Sequence, residues 1–184
     1  MKHLQEILLD KQVDSLLDRE KGYLFEKMPV LQSLTVELPG TKNLWKHTLC
    51  VCARVAPTAT LRWSALFHDV GKPVVYKSHK PKIGGVFPNH AMVGAEIWRE
   101  NRARFHEILS ASEIGTVERL IRYHMQTLSY TPQWNDKAVR NLASIYKGDI
   151  MLGIALAEAD GGSHESLSHL AGRIENGGSD DERR

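Results

Sequence analysis

Apolar residues recur three and four positions apart along nearly the whole chain. Side chains at this spacing share one face of an α-helix, whereas a half-buried strand requires strict alternation of apolar and polar residues. Segments with such alternation are scarce. The first helical stripe comprises Leu4, Ile7, Leu8, Val13, Leu16 and Leu17. The pattern therefore predicts an all-α fold, a helical bundle of eight or nine helices.

Proline, glycine and capping residues divide this pattern into segments. Pro39 and Gly40 interrupt it before a segment that Thr41 or Asn43 can cap, and Pro57 ends that segment. Residues 74–87 are predicted to form a long loop or small hairpin. The remaining candidate caps are Thr58 or Thr60, Asn89, Ser110 or Ser112, and Asn135.

The breaks in the pattern also predict the domain organisation. A chain of 184 residues is long enough for one domain with short extensions. We expect residues 1–40 to form an N-terminal helical extension that packs on the core. Residues 41–175 form the predicted functional domain, and the polar residues 176–184 are predicted to be a disordered tail.

Composition excludes few classes of partner. The formal net charge is +2, which indicates neither a nucleic-acid nor a membrane preference. No apolar run approaches the roughly 18 residues of a membrane span, and the N-terminus lacks a signal peptide's apolar core. We therefore expect a cytoplasmic protein that does not contact membranes.

Cys50 and Cys52 are predicted to be buried small apolar residues, because no second cysteine pair completes a zinc site.

Histidines and aspartates interrupt the apolar helix faces. A lone histidine on such a face is usually a core residue with a local hydrogen bond. A buried carboxylate is costlier and normally pairs with a cation or a metal, yet no lysine or arginine shares the inner stripe of Asp160. The nitrogen and oxygen ligands suit one or two divalent ions, with Mn, Fe, Co, Ni, Zn and Mg as candidates. The candidate ligands are His47, His68, Asp69, His90, His124 and Asp160.

Other catalytic patterns are missing from the sequence. It contains no GxxxxGK[ST] phosphate loop, no GxGxxG fingerprint after a strand and no GxSxG elbow. The segment GGSDDE resembles a nucleotidyltransferase signature, but it stands in the polar tail with two residues after it. We do not interpret it as catalytic.

The ordered motifs resemble the HD superfamily of metal-dependent phosphohydrolases. They are most similar to the HD domain of bacterial CCA-adding enzymes, the tRNA nucleotidyltransferase and poly(A) polymerase family. The resemblance runs from about Phe25 to Ile174. The paired carboxylates of that family's nucleotidyltransferase head do not appear in this sequence. The motifs are LWKHTLCV, ALFHDVGKP, GGVFPNHAMVGAEI, LIRYHM, WNDKAVRNL and ALAEAD.

The resemblance implies roles for individual residues. A first metal would bind His47, His68, Asp69 and Asp160. His90 and His124 would hold a second metal or a phosphate, and either could protonate the leaving oxygen. Lys72 would stabilise charge on the phosphate. The implied catalytic residues are Asp69, Lys72, His90 and His124.

A lysine-rich segment follows the His-Asp pair. From Val70 to Ala95 the sequence contains no aspartate or glutamate. Such a segment can attract phosphate, although a solvated loop would have the same composition. We predict that Lys72, His79, Lys80 and Lys82 contact substrate phosphate.

Three functions follow as hypotheses. The first is a metal-dependent phosphohydrolase that acts on nucleotides or RNA ends, of the 2′,3′-cyclic phosphodiesterase or phosphatase type. The second is a deoxynucleotide phosphohydrolase. The third is a non-catalytic RNA-binding module that partners a separate nucleotidyltransferase, with tRNA or another nucleic acid as its ligand. Its candidate phosphate contacts are Arg99, Arg102, Arg104, Arg119, Arg122 and Arg140.

Overall fold

The computed structural model describes residues 1–41, 43–78 and 87–176, and the regular elements in these ranges are all helical. They comprise eleven α-helices and two short 3-10 helices at Pro29–Thr35 and Arg102–Phe105. The all-α prediction is confirmed, with a helix count slightly above eight or nine. The α-helices are α1 (Lys2–Leu9), α2 (Val13–Arg19), α3 (Lys21–Lys27), α4 (Leu44–Arg54), α5 (Ala59–Phe67), α6 (Lys72–Ser78), α7 (His90–Asn101), α8 (Ala111–Leu128), α9 (Asp136–Ile145), α10 (Ile150–Ala159) and α11 (His164–Glu175).

One additional helix arises where the first predicted segment divides. Asp10 adopts an extended conformation (φ −72°, ψ 151°) after α1. Its carboxylate accepts a hydrogen bond of 2.7 Å from the backbone N–H of Gln12, which stabilises the turn before α2. α1 then packs against α5, and α2 packs against α4.

A second additional helix, α6, begins at Lys72 and runs into the stretch that the sequence predicted to be a loop or small hairpin. Pro73 occupies the second position of α6, where its missing N–H removes no helical hydrogen bond. Val75 is buried, and α6 packs against α7. The predicted loop or hairpin is therefore wrong for residues 74–78, and residues 79–86 lie outside the described ranges.

Side-chain caps begin four helices at predicted positions. The oxygens of these caps accept hydrogen bonds from the third residue of each helix. Ser110 forms a complete capping box with Glu113. Asn89 was also predicted to cap but does not: it is left-handed (φ 64°), and its side chain makes no capping bond. The confirmed caps are Asn43, Thr58, Ser110 and Asn135.

An aromatic cluster holds α5 against α7 and the 3-10 turn that follows α7. Trp98 and Phe105 stack with ring centroids 4.1 Å apart, and Trp63 meets Phe105 edge-on at 4.9 Å. All three rings are completely buried, together with Phe67. α8 packs against α5, α7 and α10. This packing brings the end of α5, the start of α7, the C-terminal part of α8 and the end of α10 to one place.

Gly71 permits the close approach of α7 to the end of α5. A Cβ atom at this position would lie 2.1 Å from the carbonyl oxygen of His90 and 2.8 Å from the backbone nitrogen of Gly94. Both neighbours are backbone atoms, which cannot rotate away as a side chain can. The glycine of the HDVGK segment therefore fixes the distance between the helices that carry His68 and His90.

Three further expectations concern the surface and the chain end. Cys52 is buried as predicted, but Cys50 is exposed, so the prediction of burial is wrong for Cys50. None of the helices in the described ranges has the length and apolar character needed to cross a membrane. Of the predicted tail, Asn176 ends α11, and residues 177–184 lie outside the described ranges.

Candidate metal centre

The HDVGK segment places an imidazole and a carboxylate side by side at the end of α5. The side chains of His68 and Asp69 are 0% and 1% exposed, so neither reaches bulk water. The Nδ1 atom of His68 lies 2.8 Å from the carbonyl oxygen of Ala65, one turn earlier. A carbonyl can only accept, so Nδ1 carries the proton and Nε2 faces the interior.

His68 contacts three other side chains. They are His47 of α4, Asp69, which follows His68 after the end of α5, and Asp160 at the end of α10. The Nε2 atom of His47 lies 2.8 Å from Oδ1 of Asp160 and 3.3 Å from Nε2 of His68. The Nε2 atom of His68 is 3.4 Å from Asp160 Oδ1 and 3.4 Å from Asp69 Oδ2. These four residues form the first cluster. The His47 side chain is 26% exposed and opens this cluster to solvent.

Asp69 also faces a second cluster, formed with His90 of α7 and His124 of α8. Its Oδ1 atom lies 3.4 Å from Nε2 of His90. Nε2 of His90 is in turn 3.2 Å from Nε2 of His124. The two carboxylate oxygens of Asp69 thus face different sets of histidines. In each set, the histidine nitrogens and an Asp69 oxygen lie close enough together to hold an ion.

The tautomers of the second cluster indicate that its centre requires a cation. Nδ1 of His90 lies 2.8 Å from the carbonyl oxygen of Phe87, and Nδ1 of His124 lies 2.7 Å from that of Ile121. Both Nδ1 atoms must therefore donate, which leaves a lone pair on each Nε2 in the neutral rings. Two lone pairs facing each other at 3.2 Å repel unless a proton or a metal lies between them. The donor set thus fits a divalent ion, and the carbonyl bonds orient the rings as outer-shell partners orient metal ligands.

The charges of the first cluster follow from burial and proximity. Burial disfavours the imidazolium of His68, but Asp69 and Asp160 outweigh that cost and raise its pKa to about 10. Burial would raise the pKa of Asp69, yet His68, His90 and Lys72 hold it well below its usual range. The pKa of Asp160 is similarly lowered against burial, by His47 and His68. Both carboxylates are therefore anionic near neutral pH.

His124 has the opposite protonation preference. Burial, followed by electrostatic repulsion from the neighbouring imidazoles of His68 and His90, lowers its pKa to about 4. The ring is therefore neutral at physiological pH, which is the state in which imidazole binds a metal.

The position of Asp160 supports a cation at the first cluster. It caps the C-terminal end of α10, where the helix dipole is negative and disfavours a second negative charge. Its side chain is only 9% exposed, so water does little to offset this repulsion. A nearby cation would compensate for both effects.

The profile of the HD domain matches residues 45–159, more than half of the chain. This range contains His47, His68, Asp69, His90 and His124, and Asp160 follows immediately after it. The chain belongs to the HD domain family. Members of this family are in general metal-dependent phosphohydrolases.

A curated relative of this HD domain is the CC-adding tRNA nucleotidyltransferase of Thermus thermophilus. The two sequences are 39% identical over 90 residues, which cover 46% of this chain and 20% of the relative. The chain thus matches about a fifth of that protein's length. The predicted resemblance to the HD domain of the tRNA nucleotidyltransferase family is confirmed.

A cleft of about 930 Å³ opens onto the two clusters of the HD domain. His47, Lys72, His90 and Asp160 line its floor. Lys72 is paired with a metal ligand: its Nζ atom donates a hydrogen bond of 2.6 Å to Oδ2 of Asp69. The structure thus brings together the predicted metal ligands and Lys72, whereas the predicted phosphate contacts His79, Lys80 and Lys82 lie outside the described residues.

The cleft walls contain residues that the sequence did not assign to the metal centre. Arg122, Tyr123 and Gln126 of α8 line the cleft, and so do Met92 and Met125. All five are partly or fully exposed, so no apolar stripe marks them in the sequence. The available signal was their position within two residues of His90 or His124 on the same helices.

The six arginines proposed for RNA binding do not form one surface. Arg99 pairs with Glu118, and Arg119 pairs with Asp149. Arg104 donates to the carbonyl oxygen of Lys27. Of the six, only Arg122 lines the cleft of the HD domain.

The pKa of His68 predicts that metal binding releases a proton. At pH 7 this imidazole is protonated, because its pKa of about 10 lies above the solution pH. A divalent ion bound by Nε2 must displace that proton, so about one proton per first-cluster ion should enter the buffer. Calorimetric titration with Mn²⁺ in two buffers of different ionisation enthalpy measures this number. Equal apparent enthalpies in both buffers would contradict the assignment.

Proposed function

We propose that this HD domain hydrolyses phosphoester bonds of nucleotides or RNA ends, with 2′,3′-cyclic phosphates as the expected substrates. The observation that carries the proposal is the placement of Asp69. Its two oxygens face separate histidine sets, and His47 of one set and His90 of the other line an open cleft. This arrangement suits one or two divalent ions beside a substrate phosphate.

The residues divide between two ion positions. His47, His68 and Asp160 would hold one ion together with Asp69. His90 and His124 would hold a second, or contact the phosphate directly if one ion binds. When bound, a divalent ion would lower the pKa of a water ligand and neutralise phosphate charge.

The remaining chemistry belongs to the side chains. In hydrolysis of a cyclic phosphate, the oxygen of water bonds to phosphorus while the bond to one ribose oxygen breaks, and that oxygen must gain a proton. His124 is neutral with a pKa of about 4 and suits the role of a ligand. When only the first ion is bound, His90 is the proposed proton donor, through its Nε2 atom. Lys72, bonded to Asp69 and lining the cleft, supplies positive charge near the phosphate oxygens.

The cleft dimensions support a substrate larger than inorganic phosphate. Its volume of about 930 Å³ is at the upper end of the range for small-molecule sites. Met92 and Met125 are 40% and 41% exposed on its wall and offer an apolar surface to a nucleobase. The relative named for its action on tRNA supports RNA as the substrate class.

Hydrolysis assays with a metal series test this proposal. The substrates are a 2′,3′-cyclic nucleotide, a deoxynucleoside triphosphate and a generic phosphodiester, each with Mn²⁺, Fe²⁺, Co²⁺, Ni²⁺, Zn²⁺ or Mg²⁺. We expect turnover of the cyclic nucleotide that depends on a divalent ion and stops when a chelator is added. Turnover that is insensitive to chelation, or no turnover of any phosphoester, would contradict the proposal.

The same assays separate the alternative functions. Release of triphosphate from the deoxynucleotide, without turnover of the cyclic nucleotide, would identify a deoxynucleotide phosphohydrolase. Salt-sensitive tRNA binding without metal-dependent turnover would identify a non-catalytic RNA-binding module.

A further inference from the structure

A second concavity of about 430 Å³ lies beside the metal cleft, between α7, α8 and the turn that joins α9 to α10. Its lining includes the cations Arg99, Arg119, Arg122 and Lys147, and the acidic residue Glu118. We call this concavity the basic groove. Three of its cations are among the six arginines proposed from the sequence, whereas Lys147 was not.

The basic groove retains positive charge after its ion pairs are counted. Arg99 is paired with Glu118, and Arg119 donates to Asp149 at 2.6 Å. Within the described ranges, the side chains of Arg122 and Lys147 have neither a hydrogen-bond nor an ion-pair partner. The Nε atom of Arg119 is also buried there without a hydrogen-bond partner. Two free cations and an unsatisfied guanidinium donor suit an anionic ligand with several acceptor oxygens.

The basic groove is continuous with the metal cleft. Arg122 and Tyr123 line both concavities. Arg119 of the groove and Gln126 of the cleft lie on the same side of α8, about 10 Å apart along the helix axis. One ligand that follows this side of α8 can therefore contact both sites, with Tyr123 between them as a stacking surface for a base.

The turn that carries Lys147 is fixed to α8. Lys147 is left-handed (φ 52°), and Gly148 after it has a φ of 97°. On one side of the turn, the Tyr146 hydroxyl lies 2.7 Å from that of Thr127. On the other side, the carboxylate of Asp149 accepts from the Thr116 hydroxyl at 2.7 Å. The charge of Lys147 is therefore held at the groove by structured backbone.

We propose that the basic groove binds a backbone phosphate of the same nucleic-acid strand whose terminal phosphoester enters the metal cleft. The preferred substrate is then an oligonucleotide end and not a free mononucleotide. This inference rests on the proposed hydrolase function, because it assigns a substrate class to the same cleft. A 2′,3′-cyclic mononucleotide cannot fill both sites, since its single phosphate group is needed at the metal centre.

Lys147→Asn is the most informative variant. Asparagine tolerates the left-handed conformation better than most residues, so the turn should be preserved while the charge is lost. For an oligoribonucleotide ending in a 2′,3′-cyclic phosphate, we expect KM to rise about tenfold with kcat unchanged, the loss typical of one charged contact. The KM and kcat for a 2′,3′-cyclic mononucleotide should not change. Lys147→Arg should retain the wild-type KM for the oligonucleotide.

Lys137→Asn is the matched control, because it removes an equal charge from an exposed position on α9 outside the groove. The oligonucleotide KM should stay within twofold of wild type in this variant. Equal changes for oligonucleotide and mononucleotide in Lys147→Asn, or an unchanged oligonucleotide KM, would overturn the proposal.

A binding measurement separates this inference from the hydrolase function. Fluorescence anisotropy with a labelled oligoribonucleotide that ends in a 3′-hydroxyl requires no turnover. Lys147→Asn should weaken binding about tenfold. The slope of log affinity against log salt concentration should fall by about 1, as expected for the loss of one phosphate contact. If the protein hydrolyses no phosphoester, this result still supports the groove as a nucleic-acid site. Wild-type affinity in Lys147→Asn would reject the groove even if hydrolysis is observed.

Discussion

Asp69→Asn should lower metal-dependent hydrolysis by more than about 100-fold. Loss of a residue that only hydrogen-bonds to a metal ligand already lowers metal affinity or activity by about 10- to 100-fold, and Asp69 is proposed to bind the metal itself. Asparagine keeps the shape of the side chain but replaces one anionic oxygen by an NH2 group, which cannot bind a cation. Asp69 is the residue shared by both histidine sets, so the substitution weakens both ion positions. The measurement is kcat/KM for a 2′,3′-cyclic nucleotide at saturating Mn²⁺.

The control for this variant is Asp14→Asn, which neutralises an exposed carboxylate on α2, a helix that contributes nothing to the two clusters. Its kcat/KM should match that of the wild type. Circular dichroism of both variants establishes that the helical fold is intact. An Asp69→Asn protein that is folded and keeps more than a tenth of wild-type activity would exclude Asp69 as the shared ligand.

Gly71→Ala should destabilise the fold by about 3 kcal/mol or more, at the upper end of the cost of overpacking. The added methyl group would lie 2.1 Å from the carbonyl oxygen of His90, so α7 must move away from α5. That movement would also displace His90 from Asp69 and weaken metal binding. Urea unfolding gives the change in free energy, and Mn²⁺ titration gives the change in affinity.

Gly172→Ala on α11 is the matched control for Gly71→Ala. A Cβ atom at Gly172 meets no atom within 4 Å. Alanine there should stabilise the protein by about 0.5–1 kcal/mol, because it favours the helical backbone. If the two alanine variants unfold at the same urea concentration, the close approach at Gly71 does not limit the fold.

Much of the helical architecture was predictable because local chemistry decides it. The caps at Asn43, Thr58 and Ser110 are side chains that bond to their own helix, so the sequence contains the whole interaction. α6 was missed because Gly71 and Pro73 are as compatible with a turn as with the start of a helix. Burial of Val75 and packing against α7 decide between the two, and these are tertiary contacts.

For the candidate site, the inward-facing residues were predictable, but the contacts between residues of different helices were not. Helical spacing placed His47, His124 and Asp160 on inward faces, and the structure brings all three toward Asp69 or its histidine neighbours. Spacing within one helix does not state which faces of different helices meet. The basic groove around Lys147 depends on such a meeting of different helices, so it could not be read from the sequence.

The most direct test of the metal centre is anomalous diffraction from crystals grown with Mn²⁺, together with elemental analysis of the purified protein. We expect a peak coordinated by His47, His68, Asp69 and Asp160, at ligand distances of roughly 2.0–2.3 Å. If a second ion binds, its peak should lie between Asp69, His90 and His124. Asp69→Asn crystals should lose these peaks. No manganese at either position, in protein that hydrolyses the cyclic nucleotide with Mn²⁺, would contradict the account.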